Sequence, residues 1–169
     1  MCWMRLAEPQ DVFGVALKMR EKDYEEISSL RWEDNRQSLA ESLSNAFSEY
    51  QNVYSIGKGE DCIAIFCYVP LRKGVWSLGM FATDNFQKVG KFLTKRIIRD
   101  IIPALLRANA HRVEVQSISG YEEVHNWIKF FGFKEEAKMQ SFGKNGEDFV
   151  QFSWVKGQDD LKWGNDKCV

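Results

Sequence analysis

The chain has 169 residues, enough for one domain with an ordinary core, and its 44% hydrophobic and 28% charged residues mark a globular rather than a disordered protein. Twenty-three lysines and arginines against 24 aspartates and glutamates leave a net charge of −1, which excludes a domain that coats nucleic acid nonspecifically. No basic start followed by an apolar run marks a signal peptide, and no apolar run is long enough to span a membrane; the expectation is a soluble protein of the cytoplasm, or one packaged from there.

In chain order, the first residues predict a short strand and a turn at Pro9, then a helix from about Val12 to Leu30 with Asp11 as its N-cap. "DNRQSLAESLSNAFSEY" predicts a second helix, with Leu39, Leu43, Ala46 and Phe47 at helical spacing. The acidic residues of both helices read as a solvated face. "NVYSIGKG" and "DCIAIFCYVP" predict two strands around the turn "GKGED", and "GVWSLGMFAT" a third, apolar enough to be buried on both faces. The longest helical pattern is "DNFQKVGKFLTKRIIRDIIPALLRANA", kinked or reset at Pro103. Next come a strand in "HRVEVQSI", a helix in "GYEEVHNWIKFFGF" ending at Gly132, and a closing hairpin of "EEAKMQSF" and "FVQFSWV" around "GKNGED". Residues 157–169 read as a loose tail, polar apart from Trp163, behind a single domain spanning residues 1–156.

The four cysteines (Cys2, Cys62, Cys67 and Cys168) show neither a disulfide framework nor a metal-ligand spacing, and read as thiols of a reducing compartment. Strand alternation would point Cys62 and Cys67 to opposite faces. The element order gives an α+β fold, a central mixed and mostly antiparallel sheet flanked by about four helices.

At 100° per residue, Lys88, Lys91, Lys95 and Arg99 share one face of the long helix, and Val89, Leu93, Ile97 and Ile101 the other. A core-packing helix with a basic solvated face accounts for this pattern. Gly90 in the first turn adds a second reading, because glycine is costly there unless backbone must approach a ligand closely. Main-chain amides at a helix start, with lysines beside them, suit an anion.

The segment Gln87-Lys88-Val89-Gly90-Lys91-Phe92 resembles the Gln/Arg-x-x-Gly-x-Gly/Ala loop of the GNAT N-acetyltransferases, with Phe92 where the family keeps a small residue. "NWIKFFGFKEE" resembles the second signature of that family, with Gly132-Phe133 in place and Ile128 where the general-acid tyrosine stands. Over residues 4–155, "MREKDYEE", "GVWSLGMFATDNF", "NWIKFFGF" and "GKNGEDFVQF" make the chain similar to the GNAT-like internal virion proteins of short-tailed bacteriophages. The resemblance implies acetyl-CoA or coenzyme A as cofactor, with Gln87, Lys88, Val89, Gly90 and Lys91 at the pyrophosphate and the backbone of Phe81 and Ala82 at the pantetheine. It implies an amine acceptor or virion proteins as partners, and the host cytoplasm or the particle as the place of action. Tyr121 is the candidate acid, its phenol reaching a cleft between splayed strands, while Glu114, Glu122, Glu123 and His125 are weaker acid–base candidates. Three functions stay open: an N-acyltransferase that relies on proximity and a strand amide, a non-catalytic virion protein reusing the fold, and, ranked last, an effector that modifies or blocks a host factor.

Overall fold

The computed structural model describes residues 1–158 and 163. Its elements follow the predicted order: β1 (Cys2–Leu6), α1 (Pro9–Leu17), α2 (Glu21–Ser28), α3 (Arg36–Ser48), β2 (Val53–Lys58), β3 (Asp61–Arg72), β4 (Val75–Ala82), α4 (Gly90–Arg96), α5 (Ile102–Arg107), β5 (Arg112–Ile118), α6 (Glu122–Phe130), β6 (Lys134–Met139) and β7 (Phe149–Val155). Seven strands are hydrogen-bonded in the order β1-β2-β3-β4-β5-β7-β6. β4 and β5 pair in parallel over Val75–Ser77 and Arg112–Glu114, whereas β1/β2, β2/β3, β5/β7 and β6/β7 are antiparallel. Among the described residues, no helix is long and apolar enough to cross a membrane.

The chain divides into two compact units. The first comprises residues 1–69 and 78–93. Its core joins Val12, Val15 and Ala16 of α1 and Leu39, Ala40 and Leu43 of α3 to Val53, Ile65, Cys67 and Phe81 of the strands. Here the helix expected over Val12–Leu30 is two helices. α1 starts earlier, with Pro9 in its first turn, and its N-cap is Glu8; Asp11 closes the capping box from the N3 position by accepting the Glu8 N–H. The break at Lys18–Arg20 has a tertiary cause: Met19 forms an antiparallel bridge with Thr83, and the Arg20 N–H donates to the Ala82 carbonyl at 2.8 Å. Helix propensity in "LKMREKD" is thus overridden by pairing with the end of β4.

Cys62 and Cys67 do not part to opposite sides; both pack against the core cluster of the first unit. Ile56 opposes Ala64 and Gly57 opposes Cys62, so Ile63 is an extra residue that resets the alternation of β3. Burial pushes the Cys67 thiol up to about 12 and that of Cys62 to about 11, the Asp11 charge adding to the latter.

The second unit comprises residues 70–77 and 94–169. The expected closing hairpin is present as β6 and β7, with β7 also pairing along the whole of β5. The long helical pattern begins at Gly90, later than expected, and is reset ahead of Pro103 as expected. A 3₁₀ turn at Phe86–Lys88 precedes α4, and a π turn at Ile97–Ile101 joins α4 to α5, with Pro103 in the first turn of α5. Proline supplies no N–H, and the wider turn ahead of it absorbs the mismatch. The expected two-sidedness holds: Val89, Leu93, Ile97 and Ile101 are buried, while Lys88, Lys91, Lys95 and Arg99 are exposed.

Trp163 departs from the expectation of a loose tail. It is 1% exposed and stacked on Trp154 with ring centroids 4.0 Å apart and planes at 12°; its Nε1–H donates to the Phe131 carbonyl at 2.8 Å. The rest of the expected tail beyond Gln158 lies outside the described residues.

Candidate functional site

The residues singled out around β4 fall in the first unit. β4 ends in Phe81 and Ala82, which are 2% and 0% exposed, so only their main chain has chemistry to offer. The Thr83 N–H donates to the Ile63 carbonyl of β3 at 2.9 Å. Successive residues of a strand present their N–H and C=O groups to alternate sides, so Ala82 addresses the side away from β3. Both of its groups are engaged there: the carbonyl accepts the Arg20 N–H, and the Ala82 N–H donates to Asp23 Oδ2 at 2.8 Å.

Asp23 is the acidic residue of α2 that does not face solvent, at 4% exposure. The Arg20 guanidinium brackets its two oxygens with hydrogen bonds of 2.9–3.1 Å, which compensates a charge that would otherwise be costly to bury. Arg20 also lies over the Phe86 ring, 5.0 Å from its centroid.

The loop after β4 winds into tight turns. The amides of Phe86, Lys88 and Val89 donate to the carbonyls of Thr83, Asn85 and Phe86 at 3.1, 2.9 and 2.9 Å, so these donors are used within the loop. Gln87, Lys88 and Lys91 are exposed, and Val89 is buried. A Cβ on Gly90 would meet the Phe86 ring at 3.3 Å, so the glycine serves the close packing of that ring. A cavity of about 500 Å³ in this unit is lined by Gln10, Asp11, Lys18, Asp61, Thr83 and Asp84 among others, and none of Gln87–Lys91 lines it.

No family model and no curated protein matches the sequence. Solved structures do match. An N-acetyltransferase from Staphylococcus aureus Mu50 superposes with a TM-score of 0.69 at 8% identity, over 92% of this chain and 98% of its own. The ribosomal-protein-S18-alanine N-acetyltransferase of Escherichia coli gives 0.65 at 10% identity, over 100% and 99%. The yncA structure from Salmonella typhimurium, which holds acetyl-CoA, gives 0.64 at 15% identity, over 99% of each chain. The chain has the GNAT N-acetyltransferase fold. Identities this low establish the fold and leave the chemistry to the site.

The acid–base candidates of this GNAT fold lie in the second unit. Tyr121, at the N-cap position of α6, is 6% exposed in a cluster with Ile118 and Phe149, packed by Val124 and Met139. Ile128, which the sequence resemblance sets at the general-acid position, is 6% exposed and carries no proton to give. Glu114 accepts the Arg112 Nε–H at 2.6 Å, and Arg112 reaches on to Glu136, whose carboxyl it holds below the usual carboxylate range. His125 is 5% exposed; its Nε2 lies 3.0 Å from the Ile118 carbonyl and 3.2 Å from Ser117 Oγ, and burial lowers its pKa. Glu122 and Glu123 sit in the first turn of α6. The residues that sequence reasoning missed are Arg20 and Asp23. Their i,i+3 spacing in "MREKD" marks a helix-face ion pair, but nothing in it shows the pair turning inward onto a strand end.

Proposed function

We propose that this chain is an acetyl-CoA-dependent N-acyltransferase with a reduced active site, acting on an amine. The observation that supports this reading is the sequence of elements within the first unit. β4 ends at Ala82, and the loop that follows presents Gln87, Lys88 and Lys91 to solvent around Gly90. Two ammonium groups and a side-chain amide suit a pyrophosphate. The fold's neighbour from Salmonella, with acetyl-CoA bound, supports a coenzyme A thioester as the ligand. Such a thioester supplies an activated acyl group; the chain's part is to hold it beside the amine and to offer a main-chain N–H to the acyl oxygen. With Ile128 at the family's acid position, Glu114 in an ion pair and the Tyr121 ring buried, side-chain acid–base catalysis plays no part in this reading.

Calorimetry with acetyl-CoA is the test. Folded protein is expected to bind at high-micromolar ligand, with affinity reduced about tenfold or more when Lys88 and Lys91 are both changed to Ala. A folded protein that gives no heat would overturn the proposal.

A second reading, a non-catalytic virion protein of a short-tailed bacteriophage, is favoured by one observation: the amide of Ala82, at the strand end where the transferase reading needs a free donor for its ligand, is bonded to Asp23. Mass spectrometry of purified particles lacking the protein would count against it.

A further inference from the structure

We propose that Asp23 is an intramolecular stand-in for a ligand carbonyl, a latch that closes the end of β4 and must leave before an acyl thioester can use the Ala82 amide. The inference rests on the transferase reading above; the hydrogen bonding that motivates it does not. Ala82 offers one donor and one acceptor on the side away from β3, the pair of groups with which an extended, amide-bearing chain adds to a strand edge. The segment Met19–Asp23 makes that addition itself. Met19 bridges to Thr83, the Arg20 N–H meets the Ala82 carbonyl, and the Asp23 carboxylate meets the Ala82 N–H. Where a ligand would bring an amide N–H and a carbonyl oxygen, the chain supplies a main-chain N–H and a carboxylate oxygen.

The latch is tied to the loop that the transferase reading assigns to phosphate. The Arg20 guanidinium holds Asp23 and rests on the Phe86 ring, and that ring occupies the space above Gly90. Side-chain contact therefore runs from Asp23 through Arg20 and Phe86 to Gly90, all within the first unit. A ligand that displaces Phe86 also removes one of the supports of Arg20.

Because Asp23 and an acyl carbonyl would compete for one N–H, apparent affinity is reduced by the fraction of molecules that are latched. The test compares acetyl-CoA and coenzyme A binding to wild type and to Asp23→Ala by calorimetry. The latch predicts that Asp23→Ala binds acetyl-CoA about tenfold or more tightly than wild type. The gain for coenzyme A, which has no acyl carbonyl, is expected to be smaller. Equal gains for both ligands would mean mere relief of charge repulsion and would overturn the latch. Equal affinity in wild type and variant would overturn the latch while leaving the transferase reading standing. Absence of binding to either protein would overturn that reading, and the latch with it. Should Asp23→Ala fail to fold, wild-type protein serves: the ¹³C resonance of the Asp23 carboxyl is expected to move in step with acetyl-CoA saturation. An unchanged resonance at saturation would overturn the proposal.

Discussion

Replacing Trp163 with Ala removes the one aromatic side chain of residues 157–169. The ring is 1% exposed, stacked on Trp154, edge-on to Phe133 with centroids 5.9 Å apart, and hydrogen-bonded to the Phe131 carbonyl. Truncating a fully buried aromatic costs about 3–5 kcal/mol. Stacking beyond the buried area, about 0.5–1.5 kcal/mol, and a net hydrogen bond of about 1 kcal/mol are largely contained in that figure rather than added to it. With total stabilities of about 5–15 kcal/mol, this is a large share. At a urea slope of about 2 kcal/mol per molar, the unfolding midpoint should fall by about 2 M. Circular dichroism is the appropriate signal, since the substitution deletes a fluorophore. Trp163→Phe keeps a ring but loses the indole N–H and should cost about 1–2 kcal/mol, between wild type and Ala. A loss below about 1 kcal/mol for Trp163→Ala would refute the conclusion that this residue closes the core of the second unit.

Stability should rise as pH rises towards the unfolded value of about 6.5 through His125, whose pKa burial holds below that value despite the Ile118 carbonyl and the charges of Glu122 and Glu135, with Lys129 acting in the same sense as burial. Because the unfolded chain binds the extra proton in this range, the stabilisation is present above pH 6.5 and fades as pH falls through the folded pKa; urea midpoints of His125→Gln should show a flatter profile, and an unchanged slope would count against the assignment. Cys62 and Cys67, with thiols pushed up to about 11 and about 12, should resist iodoacetamide at pH 8 in the folded protein and label fully in urea, as read by peptide mass spectrometry; rapid labelling of either of these two residues in native protein would contradict their raised pKa values. Placing a tyrosine at the position by Ile128→Tyr should destabilise by about 1–3 kcal/mol without raising any acetyl transfer, since the larger polar ring enters a packed site; a gain in transfer would show that the position faces a working centre.

Local pattern alone placed every strand and most helices. The alternation of "NVYSIGKG", the apolar run of "GVWSLGMFAT" and the split of lysines from Val89, Leu93, Ile97 and Ile101 are consequences of period, and period survives folding. The sequence also carried the likeness to the N-acetyltransferases, because glycine positions and helix–strand order are local properties. What it could not carry were decisions made by residues far apart in the chain. The break at Lys18–Arg20 follows from pairing with Thr83, and the shared side of Cys62 and Cys67 from a bulge opposite Ile56 and Gly57. The burial of Trp163 follows from a slot built by Phe131, Phe133 and Trp154. Asp23 is the sharpest case. On its own helix it is one more acidic residue at a solvated spacing; only the fold brings the Ala82 amide within 2.8 Å and turns its carboxylate inward. Hydrogen-bond donors at a strand end have no side chain to announce them, so whether that amide awaits a ligand or is held by the chain itself was decided by tertiary structure.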